Sequence, residues 1–317
     1  MFLWKSPIFV LLILALTLGA CGPAKAPTSG LQGTIAVSGA FALYPMMVTW
    51  AEAYQKINPG VRIDVSAGGA GKGMADTLAG AVDIGMVSRQ VTVDEMEKGA
   101  VWFAVVKDAV FPTVSAKNPV LPALMSQGVE QSTFIRLYMD GDLTTWGELT
   151  GQSKVQDEIH LYTRSDSSGA AEIWAKYLDG MQEDLLGIGV FGDPGIMDAV
   201  VKDPLGIGYN NLNYAFDAKS GKPVEGAVVL PIDVSGNGKA DPEEVLDTRQ
   251  KAITAVASGR YPSPPARDLN LVTKGQPTGL VQDFLLWVLN QGQQYVDQAG
   301  YVSLPDEYLA EQQDKIK

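Results

Sequence analysis

Beyond residue 33 the apolar positions fall into short runs of two kinds. Residues 61–65, Val-Arg-Ile-Asp-Val, alternate apolar with polar, the period of a half-buried strand, and 34–39 is a short apolar run closed by a glycine. The stretches 82–87, 101–115, 160–163, 206–210 and 269–273 read as further strands, the fourth carrying close-packed glycines. Between them, apolar residues return at helical spacing over 46–57, with Pro45 suited to a first turn, and over 74–81, 124–138, 170–178, 243–258 and 280–290. Strand, glycine loop and helix alternate, so the pattern predicts an α/β fold.

Two proline-containing joints, Lys117-Asn118-Pro119 and Tyr261-Pro-Ser-Pro-Pro-Ala266, divide this series. They predict that the middle region is inserted into the first, so that the chain crosses between two lobes twice. No internal repeat interrupts that reading.

The first residues change the compartment. Lys5 followed by an apolar run over 8–18 has the length and flanks of a signal peptide, assigned to 1–20. Leu18-Gly-Ala-Cys21 resembles the lipobox of bacterial and archaeal lipoproteins, which implies cleavage before Cys21 and its lipidation, with 21–32 as a flexible tether. A signal peptide with a chance cysteine is the plainer alternative. Cys21 is the only cysteine, which excludes an internal disulfide and a cysteine-based zinc site. Loss of 1–20 would leave 23 Lys and Arg against 36 Asp and Glu, a net charge of −13 that argues against nucleic acid and against an electrostatic grip on anionic lipid.

Three glycine-bearing loops follow predicted strands, at 39–45, 68–73 and 166–170. In open α/β sheets such loops gather backbone N–H groups at helix starts, where anions are favoured. Simple tight turns, with Asp166 or Ser167 capping a helix, would use the same residues. The loop Gly-Gly-Ala-Gly-Lys-Gly is not a nucleotide phosphate loop, because Lys72 precedes Gly73 where Ser or Thr is needed. The single histidine, His160, falls in a predicted strand, and no Ser-His-Asp or paired-histidine constellation can be assembled, so no catalytic residue and no enzymatic activity are expected.

The ordered set of V-R-I-D-V-S-A-G-G-A-G-K-G from Val61, D-I-G-M-V-S-R from Asp83, K-N-P-V from Lys117, T-R-S-D-S-S-G from Thr163, P-L-G-I-G-Y from Pro204, G-R-Y-P from Gly259 and A-G-Y-V from Ala299 resembles the phosphate-binding proteins of phosphate ABC transporters. The resemblance implies a two-lobed periplasmic-binding-protein fold of type II, two mixed-sheet α/β domains joined by two crossover strands. Lobe 1 would be 33–115 plus 265–317, and lobe 2 would be 116–264. It further implies an exported, lipid-anchored monomer on the extracytoplasmic face of a membrane, taking phosphate or a related oxyanion to a permease.

By the same resemblance Arg164, Asp166, Ser168 and Gly169 fall on the family's R-x-D-x-S-G turn. Arg164 would bind the anion, Asp166 would orient it, and Ser88, Arg89, Ala42, Leu43, Ala70 and Ala170 would complete the site. An arginine in that role should be dispensable for stability. The match breaks where the family carries hydroxyls: Ala40, Phe41, Ala42 and Leu43 stand in the first loop, Ala70 in the second and Ala170 in the third. Hydrogen bonds to a charged group are worth about 1.5–3 kcal/mol each, so the loss bears on affinity. Two readings stay open, a transport receptor with a reduced donor set and a sensor or surface interaction protein with Phe41 and Leu43 filling the cleft.

One motif lies outside the resemblance. Asp233-Val-Ser-Gly-Asn-Gly-Lys-Ala-Asp-Pro-Glu-Glu244 has the oxygen spacing of an EF-hand or dockerin loop. It predicts a structural calcium on Asp233, Ser235, Asn237, the Lys239 carbonyl, Asp241 and Glu244, or else a polar turn before a capped helix.

Overall fold

The structure, a computed structural model, describes residues 30–317; the predicted signal peptide and Cys21 lie outside the described residues. Among the described residues nine strands form one connected sheet: β1 (Gly33–Gly39), β2 (Val61–Ala67), β3 (Ile84–Val87), β4 (Ala100–Ser115), β5 (His160–Arg164), β6 (Ile188–Val190), β7 (Gly206–Asn211), β8 (Ala227–Val229) and β9 (Ala266–Lys274). Their order is β2-β1-β3-β9-β4-β7-β5-β6, with β8 also on β4. Pairing is parallel within β2-β1-β3 and β7-β5-β6, and antiparallel where β9 and β4 are involved.

β4 explains the two lobes. Its 16 residues are too many for one lobe's sheet: Ala100 to Ala109 pair with β9, and Val110 to Ser115 pair with β7 and β8, with an irregularity in register between Ala104 and Val106. Two hydrophobic cores divide along the same strand. Val106 and the residues before it pack with Trp50, Tyr54, Phe284 and Tyr301, whereas Ala109 and those after it pack with Phe134, Trp146, Trp174 and Tyr209. The mixed α/β class and the paired crossover strands are those the sequence predicts.

Local chemistry fixes the elements that reach the boundary. Gly39 ends β1 at φ 135°, and a Cβ there would stand 2.3 Å from the Met86 carbonyl. Gly73 is equally constrained, since its Cβ would meet Gly39 Cα at 2.8 Å. This close packing pulls the helix Ala70–Ala79 into the glycine loop, so it starts four residues before the predicted 74. The expected helix over 124–138 is broken into Leu121–Gln127, Gln131–Ile135 and a π turn Arg136–Asp140, because Gly128 takes φ 69° and Val129 bridges to Ile232. Among the described residues no helix is long and apolar enough to cross a membrane.

Candidate anion site at the lobe boundary

β5 delivers Arg164 to its carboxyl end, and Ser168 caps the helix Gly169–Tyr177 by accepting from Ala170 N at 3.2 Å and Ala171 N at 3.3 Å. The cap falls on Ser168, where the sequence offered Asp166 or Ser167. Asp166 instead takes both Nε and Nη2 of Arg164, at 2.8 and 2.6 Å, and a third bond from Gly192 N at 3.1 Å. Residue 193 completes the clamp. Asp193, fully buried in the first turn of the helix Gly192–Lys202, accepts Arg164 Nη1 at 2.6 Å. Burial works against the Arg164 charge, but Asp193 and Asp166 overcome it and hold the guanidinium above the usual arginine range.

The lobes meet on either side of this turn. Gly71 N donates to the Ser167 carbonyl at 3.0 Å, and a Cβ on Gly69 would lie 2.7 Å from both Asp166 Oδ2 and Ser167 O. Ser88, at the end of β3, covers Gly169 so closely that a methyl group there would stand 2.2 Å from its Oγ. Phe41 crosses from lobe 1 and lies over Arg164, 5.3 Å from ring centroid to Cζ. Its ring also meets Phe191 at 5.6 Å and Tyr214 at 6.5 Å, both edge-on, and Tyr214 Oη donates to the Phe41 carbonyl at 3.3 Å.

The remaining predicted residues separate into groups. Ser88, Arg164, Asp166, Ser168 and Gly169 converge at the boundary. Arg89 is nearby, but four of its five donors are engaged: two bonds to Glu95 at 2.9 and 2.6 Å, one to Gln90 O at 2.9 Å, and Nε against Glu172 of lobe 2 at 3.0 Å. The side chains of Ala42, Leu43 and Ala70 are in the lobe 1 core and that of Ala170 in the lobe 2 core, which leaves only their backbones for any ligand. His160 lies on β5, its Nδ1 2.6 Å from Asp203 Oδ2, a carboxylate that Tyr162 also contacts at 2.8 Å.

The chain 233–244 folds on itself. Asp233 accepts from Gly236 N at 2.7 Å and Gly238 N at 2.8 Å, while Ser235 Oγ bridges Asp233 at 3.1 Å and Asp241 at 3.4 Å. Asn237 Nδ2 reaches Asp241 at 3.0 Å, Lys239 N donates to Asn237 Oδ1 at 2.9 Å, and Glu244 receives Val234 N at 2.8 Å and Asp241 N at 3.0 Å. The predicted helix over 243–258 begins only at Arg249, capped by Thr248, because Glu244 is bent back to the loop. Among the described residues no three His, Cys, Asp or Glu side chains are arranged to hold a metal ion.

Residues 24–291 match a family model described as PBP superfamily domain. The chain belongs to this family. Among curated relatives, the phosphate-binding protein PstS of Bacillus subtilis is 28% identical over 87% of this chain and 82% of its own length. PstS of Methanocaldococcus jannaschii is 24% identical over 93% of this chain and 92% of its own. Among solved structures, an ABC-type phosphate transport receptor from Vibrio cholerae superposes with a TM-score of 0.61 at 18% identity, covering 86% of this chain and all of that one. A candidate phosphate ABC transporter substrate-binding protein from Clostridium perfringens, solved with bound phosphate, gives 0.69 at 22%, with the same coverage. The two-lobed fold inferred from the motif order is therefore the fold of the family.

Asp193, Glu172 and the buried Asn211, Arg267 and Asp108 behind the turn were not singled out as site residues; of the two residues expected to fill the cleft in the sensor reading, Phe41 does lie over Arg164, whereas Leu43 is in the lobe 1 core. Gly192-Asp-Pro194 before an apolar run was a legible helix start for Asp193. The ring contacts of Phe41 had no local signal.

Proposed function

We propose that this chain is an extracytoplasmic, lipid-anchored receptor that captures phosphate or a related oxyanion between its lobes and passes it to an ABC transporter permease. One observation carries the reading. The turn Arg164–Gly169 places a guanidinium and a capped helix N-terminus against the Ser88 end of β3 and the 68–71 loop, where closing lobes can surround an anion with N–H and O–H donors. Relatives named phosphate-binding proteins match this chain along most of their length, which favours transport over a retained fold used for sensing. The chain acts as a binding protein and not as an enzyme. Titration calorimetry of the purified, anion-stripped protein with phosphate, sulfate and arsenate tests the proposal. Saturable heat with phosphate and none with sulfate supports it; no heat with any of the three overturns it.

Two further parts belong to the same proposal. Cys21 is the lipid attachment point, and the 233–244 loop takes a structural calcium, a reading supported by the oxygen spacing of its sequence, while its carboxylates here accept the loop's own N–H and O–H donors.

A further inference from the structure

Arg89 stands two residues past β3, and lobe 1 alone fixes its direction. Its carbonyl accepts Asn270 Nδ2 of β9 at 3.1 Å. Its Nη1 and Nη2 grip Glu95 at 2.9 and 2.6 Å, and Glu95 is itself held in a capping box. The Glu95 carboxylate accepts Thr92 N at 2.9 Å, while Thr92 Oγ1 accepts Glu95 N at 3.3 Å at the start of the helix Val93–Glu97. The Arg89 side chain is left 11% exposed, with Nε turned to the other lobe, 3.0 Å from Glu172 Oε2. Among the described residues this is the only ion pair between the two lobes.

Glu172 is tied to the anion turn by the shortest route. It lies in the first turn of the helix Gly169–Tyr177, three residues past Gly169 on the same rigid element. Opposite it, Ser88 and Arg89 are neighbours in the chain. The contact of Gly169 with Ser88 and that of Glu172 with Arg89 therefore join the same two pieces of structure, and the lobes cannot part at the turn without parting the ion pair. The other charges around Glu172 do not span the boundary in its place. Lys176 is one turn further along the same helix, Glu183 belongs to lobe 2 as well, and Glu95 belongs to the lobe of Arg89.

We propose that Arg89 and Glu172 form a clasp that shuts the lobes over the ligand and sets how long a captured anion stays, without touching it. The inference rests on the phosphate reading above. Arg89 is then a positioning residue, where the sequence had placed it on the anion. The clasp acts on one step. An anion meets the open cleft while Arg89 and Glu172 are apart, so association does not use the pair, whereas release requires opening and breaks it. Glu172 remains 43% exposed, so water screens the pair and its effect is modest.

The test is stopped-flow and calorimetric titration with inorganic phosphate at neutral pH for wild type, Glu172→Gln, Arg89→Lys and the double variant, with melting curves to show that each is folded. Glu172→Gln should weaken binding by about threefold to tenfold, through faster release with association unchanged. Arg89→Lys keeps the charge but loses the planar fork that serves Glu95 and Glu172 together, and should act in the same way. The double variant should release phosphate no faster than the more affected single variant, because both remove one interaction. Glu183→Gln removes a neighbouring carboxylate of lobe 2 outside the pair and should leave release unchanged. Were Glu172 only a negative charge near the anion, its removal would tighten binding. Tighter binding or unchanged release in Glu172→Gln overturns the clasp and leaves the phosphate reading standing. Additive losses in the double variant do the same, returning Arg89 to the anion. Should Arg89→Lys not fold, Glu172→Gln and Glu183→Gln decide. No phosphate binding by wild type overturns the phosphate reading, and this inference with it.

Discussion

Arg164 Nη1 and Asp193 Oδ2 lie 2.6 Å apart with both side chains removed from solvent, 1% and 0% exposed. The arginine expected to serve only a ligand is therefore also a structural cation. Arg164→Ala should abolish phosphate binding and also lower stability by about 3–5 kcal/mol, because it strands two buried carboxylates. Chemical denaturation of the variant checks this; a melting curve like that of the wild type would return Arg164 to a purely ligand-binding role.

Gly169→Ala should keep lobe 2 folded yet hold the lobes apart. The added methyl group would stand 2.2 Å from Ser88 Oγ and 2.7 Å from Ser88 O, and a backbone carbonyl cannot step aside as a side-chain tip can. Small-angle scattering should show a larger radius of gyration, and phosphate affinity should drop by about tenfold or more.

Asp108 predicts a pH effect on stability. Burial raises its carboxyl from 3.8 to about 6, with Arg267 pulling the other way. A raised acid contributes stability that is complete below the unfolded value and is lost as pH rises through the folded one. Wild type should thus lose about 3 kcal/mol of this contribution between pH ~4 and ~6. Denaturant midpoints for wild type and Asp108→Asn across that range should converge or cross as pH rises; parallel profiles would show that Asp108 does not titrate there.

Calcium should raise the melting temperature by several degrees relative to chelator, and Asp233→Asn should erase the difference. Identical melting with calcium and with chelator would leave the loop as a polar turn held by its own N–H groups.

The parts of the site that were legible are those whose geometry is local. Arg164, Asp166, Ser168 and Gly169 lie within six residues, so a strand end and a helix cap fix their relation wherever the turn is placed. Asp193 is 29 residues from Arg164 in sequence and reaches it only because β5 pairs with both β6 and β7. Phe41 is further removed, since its position over Arg164 depends on two lobes meeting. Loop 233–244 shows the converse limit. Its ligand spacing is legible along with a helix behind it, but the backward reach of Glu244 delays that helix to Arg249.

The position of β9 has a consequence for the order in which the molecule can be completed. It lies between β3 and β4, yet its residues are the last strand to be made. A nascent chain that has reached Pro265 already holds every strand of lobe 2, whereas the lobe 1 sheet still has a gap at its centre, with Met86 and Phe103 lacking Leu271, the residue that pairs with both. Lobe 1 begins first along the chain and can close only last.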